Sequence, residues 1–598
     1  MKTVSTAYKS QINKIPFRNP LYARIVVQQI DMTALGDGTF SDNGHVSYSD
    51  WSKTDTLYIP EETYATLETN FWRLDGSFPI KPDNLPYHSE GFVGDEISGA
   101  NGNYTTNPLI TRQFTDLKDF VGLTIVFDGV NDEYPEHIIV RCYNGATQVD
   151  MEEVTNITSS TVEINRPFAP LDKFTIEVVK STLPNRRVRI QRMLYGIERI
   201  FENTTISSVK TTTDIDPINR RLPTETLSFT VFDYDRNYDP DNPDGIWEYI
   251  DIQSPVSIQF GYRLDGGQVE WLPPDKYLLD GRPEVSNNQA NFKATKVVGY
   301  MSDNYFKGTF GTKNLYDLAE EVLEDAELSA LVNPILPWVI DESLKDIYTN
   351  APLPIDTHKN CLQLIANAGM CKFYTDHNGT IRLEKFEVPE TPTDFTIDLG
   401  LTYDEPVISK IEPLYSVNVL KYTYKAETTA KELHKSTFEV SGTTDFYAEF
   451  STATDVNVNI TGGTLSNVQT YANAATATIT ANGEVTVTIT GKEVTHTTSG
   501  IPYVVGTRNQ GETEVIENPL VTSDSHKRTL EQHLADYLTL RNAYTVNYRG
   551  NPELETGDFI KLQSPFTELF PALVLKHELS FDGGALRGSG IFKRVGDE

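Results

Sequence analysis

Short stretches in which apolar and polar residues alternate recur along the whole chain, and Gly, Asn, Asp or Pro separates one stretch from the next. Examples are residues 22–28, 124–128, 137–142, 174–179 and 256–260. Successive side chains of a strand point to opposite faces of a sheet, so this alternation predicts antiparallel β structure. We therefore predict a mainly β protein.

Helical spacing of apolar residues is confined to a few segments. Asn314 stands at the N-cap position of the first, and Gly369 closes the second. The dipeptide Asn378-Gly379 follows, and it is typical of a tight turn between two strands. A smaller α+β part is therefore expected. The three predicted helices span residues 314–328, 357–370 and 523–541.

Two stretches differ in composition from their surroundings. Residues 451–498 are rich in Thr, Val, Ala, Asn and Gly, and their alternating runs predict a small inserted β domain. Near the N-terminus, the strand at 21–30 precedes a long aromatic-rich β pattern, and framework strands resume only at residue 206. This order predicts a discontinuous first domain that carries a second insertion.

The formal net charge is −33, from 51 Lys and Arg against 84 Asp and Glu. Such a balance argues against a protein that wraps nucleic acid by neutralising its phosphates. The three cysteines, Cys142, Cys361 and Cys371, are too few for a disulfide framework, and we interpret them as buried small hydrophobic residues. No apolar run is long enough for a membrane span, and the N-terminus lacks the apolar core of a signal peptide.

The loop that follows Leu227 carries oxygen-bearing side chains at alternate positions, as a calcium-binding EF-hand loop does. However, Tyr238 stands where that loop needs Gly, Asp244 stands where it needs Glu, and no helix flanks it. An Asx-rich turn is therefore predicted, with no metal. The alternating residues are Asp233, Asp235, Asn237 and Asp239.

Enzyme motifs are missing from the sequence. The ten His residues form no HExxH motif, and neither CxxC, GxSxG nor a glycine-rich phosphate loop occurs. His45 and His88 each lie near acidic residues, but we interpret them as polar loop residues. Paired carboxylates for glycoside hydrolysis stay open, because their spacing is a tertiary property. We predict no catalytic residues, no cofactor and no enzymatic activity.

Aromatic residues crowd residues 51–104 and are interleaved with Asp, Asn and His. Sugar rings bind to such mixtures of flat apolar faces and hydrogen-bonding groups. The glycan-binding candidates are Trp51, Tyr64, Trp72 and Tyr87.

Several segments together resemble the tail-hub family, also called tail-tip, baseplate hub or tail-associated proteins, of long-tailed phages and prophages of Gram-positive bacteria. The segment 232–281, which begins FDYDRNYDPDNPDGIWEYI, is similar to the first barrel of that family. Residues 360–386 resemble its middle α+β domain, and 405–424 with 544–562 resemble the strands of its second barrel. Residues 55–78 and 186–201 are similar to an accessory jelly roll of the carbohydrate-binding type.

The resemblance implies a domain order. The expected domains are a first hub β-barrel at 1–30 and 206–310, an inserted jelly-roll-like β-sandwich at 31–205, an α+β domain at 311–400, a second hub β-barrel at 401–440 and 505–598 with the helix 523–541, and a small inserted β domain at 441–504.

The resemblance also implies a function, that of a structural virion protein assembled in the host cytoplasm. A homotrimeric hub would close the tail tube and help host attachment and DNA passage. Its expected partners are the distal tail protein, the tape-measure protein, other tail or receptor-binding proteins and host cell-wall glycans. We expect Tyr238, Trp247 and Tyr249 at the subunit interface.

Two other classes of function stay open from the sequence. A glycan-binding adhesin or receptor-binding tail protein is the first alternative, and a glycoside hydrolase is the second. The chain ends at Glu598, shortly after residues 572–595 that resemble the last barrel strands, so we expect no C-terminal lysin extension.

Overall fold

The computed structural model describes all residues except 15–17, 32–33, 48, 52–53, 55–90, 130–132, 244, 248–249, 251, 330–336, 410–412, 508–510 and 597–598. Residues 1–202 form the helix α1 (Thr6–Gln11) and the strands β1 (Leu21–Ile30), β2 (Thr39–Asp42), β3 (Phe92–Val93), β4 (Leu109–Lys118), β5 (Leu123–Phe127), β6 (Pro135–Asn144), β7 (Thr147–Thr155), β8 (Thr161–Ile164), β9 (Leu171–Ser181), β10 (Arg189–Leu194) and β11 (Gly196–Glu202).

The centre of the chain holds two longer helices. Its elements are β12 (Ile206–Asp214), β13 (Thr224–Phe232), β14 (Pro255–Arg263), β15 (Val269–Trp271), β16 (Asp275–Leu279), β17 (Glu284–Ser286), β18 (Gln289–Thr295), β19 (Asn304–Tyr305), β20 (Lys313–Asn314), α2 (Leu315–Ser329), β21 (Trp338–Ile340), β22 (Tyr348–Thr349), β23 (Asp356–Thr357), α3 (His358–Ala368), β24 (Cys371–Thr375) and β25 (Ile381–Lys385).

The C-terminal part contains the longest strands. Its elements are β26 (Thr396–Ile397), β27 (Val407–Ser409), β28 (Leu414–Ala426), β29 (Lys431–Glu449), β30 (Ala453–Thr461), β31 (Thr464–Thr470), β32 (Ala474–Ser499), β33 (Tyr503–Val504), β34 (Glu512–Glu517), α4 (Asp524–Leu538), β35 (Ala543–Tyr548), β36 (Phe559–Leu562), β37 (Phe570–Phe581) and β38 (Leu586–Arg594). The prediction of a mainly β chain with a smaller α+β part is confirmed.

One 15-stranded sheet, called here the framework sheet, joins distant parts of the chain. Its main path runs β11-β1-β14-β16-β18-β13-β12-β37-β38-β35-β27, with β15, β17, β36 and β26 paired at its sides. The sheet has an N-terminal unit, made of β1 and β11 to β18, and a C-terminal unit, made of β26, β27 and β35 to β38. The antiparallel pair of β12 and β37 connects the two units, from Val209 opposite Phe581 to Asp214 opposite Lys576. Both units therefore share one continuous set of backbone hydrogen bonds.

Two further sheets lie between β1 and β11, with the orders β3-β10-β5-β8 and β2-β4-β9-β6-β7. They enclose an aromatic core that includes Phe114, Phe120, Phe174 and Tyr195. The chain returns to the framework sheet at Gly196, the first residue of β11, ahead of the expected domain boundary at residue 205. We call this unit the inserted sandwich.

The middle domain packs α2 and α3 against the sheet β21-β25-β24. Asn314 caps α2, since its Oδ1 accepts a hydrogen bond from the backbone N–H of Asp317 at 2.7 Å. All three predicted helices are confirmed within a few residues, and Gly379, at φ +85°, closes the predicted hairpin of β24 and β25. The sequence did not predict the short helix α1.

The Thr-rich region is continuous with a larger sheet. Strands β29, β30 and β31 all pair with the 26-residue strand β32, and β32 also pairs with β28. Residues 431–499 are called the Thr-rich extension. Because β29 begins at Lys431, the expected domain boundary at 441 falls inside a strand. In the part of the chain that the structure describes, no helix has the length and apolar character needed to span a membrane.

Candidate functional site

The loop from Asp233 to Trp247 connects β13 to β14 and is held by its own acidic side chains. The buried Asp233 carboxylate accepts backbone N–H groups of Asn237 at 2.8 Å and Tyr238 at 3.0 Å. Asp239 Oδ1 accepts the backbone N–H of Asp241 at 3.0 Å. These are the side-chain-to-backbone bonds of Asx-rich turns. Among the described residues, no group of three or more His, Cys, Asp and Glu could hold a metal ion.

The three residues of this loop that were predicted at a subunit interface differ in their surroundings. Tyr238 is only 4% exposed and packs edge-on against Phe292, with ring centroids 5.2 Å apart. Burial also raises the pKa of its hydroxyl. Trp247 keeps part of its surface, and the Arg282 guanidinium lies 4.4 Å from its ring centroid. Tyr249 lies outside the described residues. Tyr238 therefore belongs to the core of its own chain.

A cavity of about 630 Å³ separates this loop from the inserted sandwich. Ile246 and Trp247 line it from the loop, and Val121, Arg166 and Ile197 line it from the opposite side. The Arg166 guanidinium is already engaged by Asp150 at 2.8 Å and by Glu152 at 2.9 Å. No sequence signal links these segments, because only the tertiary fold brings the sandwich against the loop.

Trp51 is the one glycan-binding candidate within the described residues. Its ring stacks between Phe40, at 4.6 Å, and Phe92, at 4.1 Å, and its Nε1 donates to Asp42 Oδ2 at 2.9 Å. His45 Nδ1 lies 3.0 Å from the other oxygen of Asp42. Both faces of the indole are thus covered by neighbours in the chain. Tyr64, Trp72 and Tyr87 lie outside the described residues.

Several groups with perturbed pKa values are held in ion pairs or in the core. Burial raises the pKa of Glu133 to about 6, although Arg186 and Arg189 lie beside it. Burial also raises the pKa of Cys142 and Cys361 to about 12. Thiols with such values are almost fully protonated at neutral pH, so these two are poor nucleophiles.

Comparison with known proteins gives structural likenesses only. No family model and no curated protein matches the chain. The tail protein from Neisseria meningitidis MC58 is 9% identical, over 67% of this chain and 93% of its own, with a TM-score of 0.39. Prophage tail protein gp18 from Listeria monocytogenes EGD-e is 10% identical, over 67% and 92%, with a TM-score of 0.37.

A smaller protein is also similar to part of the chain. Chitosan-binding module 1, derived from a chitosanase/glucanase of Paenibacillus sp. IK-5, is 8% identical over 28% of this chain and 97% of its own, with a TM-score of 0.18. TM-scores below 0.5 do not establish a shared fold, and these likenesses assign no function to the chain.

Proposed function

We propose that this protein is a structural component of a phage tail, the hub at the tail tip or baseplate, and that it works as a homotrimeric ring. The observation that carries the proposal is the framework sheet. Segment 232–281, which resembles the first hub barrel, contributes β14 to β16, and segment 544–562, which resembles the second, contributes most of β35 and all of β36. The two hub-like segments thus occupy the two units of one sheet.

The two ends of the framework sheet support assembly with further chains. Strands β11 and β27 end its main path, and neither pairs with another strand on its outer side in the described ranges. Ile200 on β11 is 54% exposed, and Val407 and Ile408 on β27 are 65% and 54% exposed. Open strand edges with exposed apolar residues are disfavoured in a monomer and favour association.

In this proposal the loop of Trp247 and the inserted sandwich are attached to the ring. Trp247 and the exposed rim of its loop contact a neighbouring subunit. The inserted sandwich faces the host, and Tyr64, Trp72 and Tyr87 bind wall glycans. The distal tail protein and the tape-measure protein contact the ring. The protein is therefore part of the virion. No catalytic step is assigned to it.

Light scattering coupled to size-exclusion chromatography tests the ring. The expected mass is about 201 kDa, three times the chain mass of 67.1 kDa. Ile408→Glu places a charge on the β27 edge and should shift the protein toward the monomer. Ile97→Glu, on a residue of the inserted sandwich that is 44% exposed, is the matched control and should leave the mass unchanged.

Two outcomes would count against the hub. One is a wild-type protein that stays monomeric at every concentration at which it remains soluble. The other is an Ile408→Glu variant that assembles as the wild type does. A monomer that binds host wall polymers on a glycan array would instead favour the adhesin alternative.

A further inference from the structure

The N-terminal arm (residues 2–14), which contains α1, crosses from one unit of the framework sheet to the other. On the N-terminal unit, the Tyr8 ring packs edge-on against Tyr262, with ring centroids 5.6 Å apart, and the Tyr262 hydroxyl donates to the Gln11 carbonyl at 2.8 Å. On the C-terminal unit, the Tyr8 hydroxyl donates to Asn551 Oδ1 at 2.7 Å. The arm therefore bridges the two units.

The arm and the surface under it are opposite in charge. The arm contains three lysines and no acidic residue, although the whole chain has a net charge of −33. Each lysine lies against a carboxylate of the framework sheet or of its connections. The ion pairs are Lys2 with Asp275 at 2.6 Å, Lys9 with Glu553 at 3.4 Å, and Lys14 with Asp265. Asp265 and Asp275 lie in the N-terminal unit and Glu553 in the C-terminal unit, so attraction between charges holds the arm on both.

The packing under the arm is loose. A cavity of about 760 Å³ and another of about 300 Å³ border the arm, and Lys2 lines both. Atoms that line a void lack contacts on one side, so they lose part of the attraction that a close-packed interior provides. Tyr8 and Ile12 are fully buried, whereas Val4 keeps part of its surface. Apolar packing therefore holds the arm less firmly than it holds a strand of the core.

The seated arm also buries a carboxylate at a cost in free energy. The Glu553 side chain is 2% exposed, and its backbone carbonyl accepts the backbone N–H of Lys2 at 2.9 Å. Burial raises the pKa of Glu553 although Lys9 lies beside it, so the ionised form is destabilised under the arm. Release of the arm returns this carboxylate to water and recovers that cost. The closed position is thus opposed by burial and maintained by the ion pairs.

We propose that the N-terminal arm is an electrostatic strap, which is released as one segment when salt screens its ion pairs. Its release lets the two units of the framework sheet move relative to each other about the β12–β37 pair. The Debye length falls from about 10 Å at 0.1 M salt to about 3 Å at 1 M, and pairs with exposed partners are screened most. Lys9 and Lys14 are 57% and 43% exposed. The strap lies within one chain and does not rest on the proposed trimer.

Hydrogen exchange of the full-length protein, read by mass spectrometry at low and high sodium chloride, tests the release. We expect the backbone amides of the arm to exchange about tenfold faster at about 1 M than at about 0.1 M salt. The amides of α3 should exchange at the same rate in both, because that helix is held by buried apolar contacts in the middle domain. An arm whose exchange does not respond to salt would overturn the proposal.

Charge reversal separates the ion pairs from a general loss of structure. Lys14→Asp places two carboxylates together at an exposed site, and should speed exchange of the arm at low salt. The double variant Lys14→Asp/Asp265→Lys restores an attractive pair and should slow exchange again toward the wild type. A folding defect would be increased by the second substitution. Lys293→Asp, which breaks the exposed pair with Glu284 at 2.8 Å in the same unit, is the matched control and should leave the arm unchanged.

Electron spin resonance distances between the two units test the consequence of release. The three native cysteines are buried, so spin labels can be attached to Ser286→Cys on the N-terminal unit and Glu568→Cys on the C-terminal unit, both exposed positions. Labelled chains are diluted with unlabelled ones, so that distances within one chain are read in any oligomer. We expect a narrow distance distribution at low salt and a broad one at high salt or with Lys14→Asp. An unchanged distribution while the arm is released would show that the arm does not hold the units together.

Discussion

The framework sheet and the Thr-rich extension are stabilised over very different distances along the chain. In the framework, β12 pairs with β37, and Tyr8 bonds to Asn551 across 543 positions. In the extension, β29, β30 and β31 pair with one nearby strand, β32, and cover a small core that is mostly aliphatic. The extension therefore needs only local contacts, whereas the framework exists only when the two ends of the chain meet.

The two regions also differ in what they bury. The framework and its junctions enclose charged and polar groups, such as Glu225 with Lys296 and His577 with the Tyr548 hydroxyl. The buried core of the extension consists of Val, Ile, Ala and one Phe. Buried polar pairs require defined partners. A change in pH, or a mutation far away in the chain, should therefore change the stability of the framework and not that of the extension.

The largest effect is expected when one buried core side chain is truncated in each of the two regions. Phe292→Ala removes a fully buried ring that stacks on Phe229 at 4.8 Å, and should lower the free energy of unfolding by about 3–5 kcal/mol. Ile489→Ala is the matched change in the extension. Hydrogen exchange read by mass spectrometry should show faster exchange throughout the framework for the first variant and only within residues 431–499 for the second. Framework-wide exchange in Ile489→Ala would contradict local stabilisation.

The next effect is acid sensitivity of the framework. Burial lowers the pKa of His577 to about 4, so the folded protein keeps this imidazole neutral. As pH falls from about 6.5 to about 4, the unfolded chain binds a proton that the folded chain does not, and stability present above this window is lost through it. The loss is up to about 3 kcal/mol.

Urea unfolding at several pH values measures this loss. His577→Gln should flatten the dependence on pH, because it removes the titrating group but retains an acceptor for the Tyr548 hydroxyl. His45→Gln is the control, since that imidazole is half exposed in the inserted sandwich. The same acid slope in all three proteins would show that His577 does not carry the effect.

The smallest effect is expected from removal of most of the extension. Glu427 donates its backbone N–H to the Glu493 carbonyl at 2.8 Å, and Ala426 lies opposite Val494. Residues 428–492 can therefore be replaced by Asn-Gly, which closes such an antiparallel pair with a two-residue turn. We expect the stability of the framework to change by about 1 kcal/mol or less, measured by thermal unfolding. The cost comes from lost contacts with Phe306 and Gly308. An insoluble product would show that the framework depends on the extension.

Local features of the sequence were predictable because their causes are local. Asn314 caps α2 and Gly369 ends α3, as their positions predicted. Tyr238 was predicted at a subunit surface, yet it lies in the core of its chain, since Asp233 binds the backbone of the loop and folds it back. Alternation of residues within a loop carries no information on which side chain returns to the core.

The sequence by itself determined the β class, the three long helices, their caps and the hairpin turn, because each depends on neighbours within a few residues. Only the tertiary structure decided that Asn551 and Glu553 are buried. In the sequence they stand in the polar stretch GNPELETG, which has the composition of an exposed turn. Tyr8 and the N-terminal arm cover that turn from the other end of the chain, and burial of this kind is a property of remote contacts.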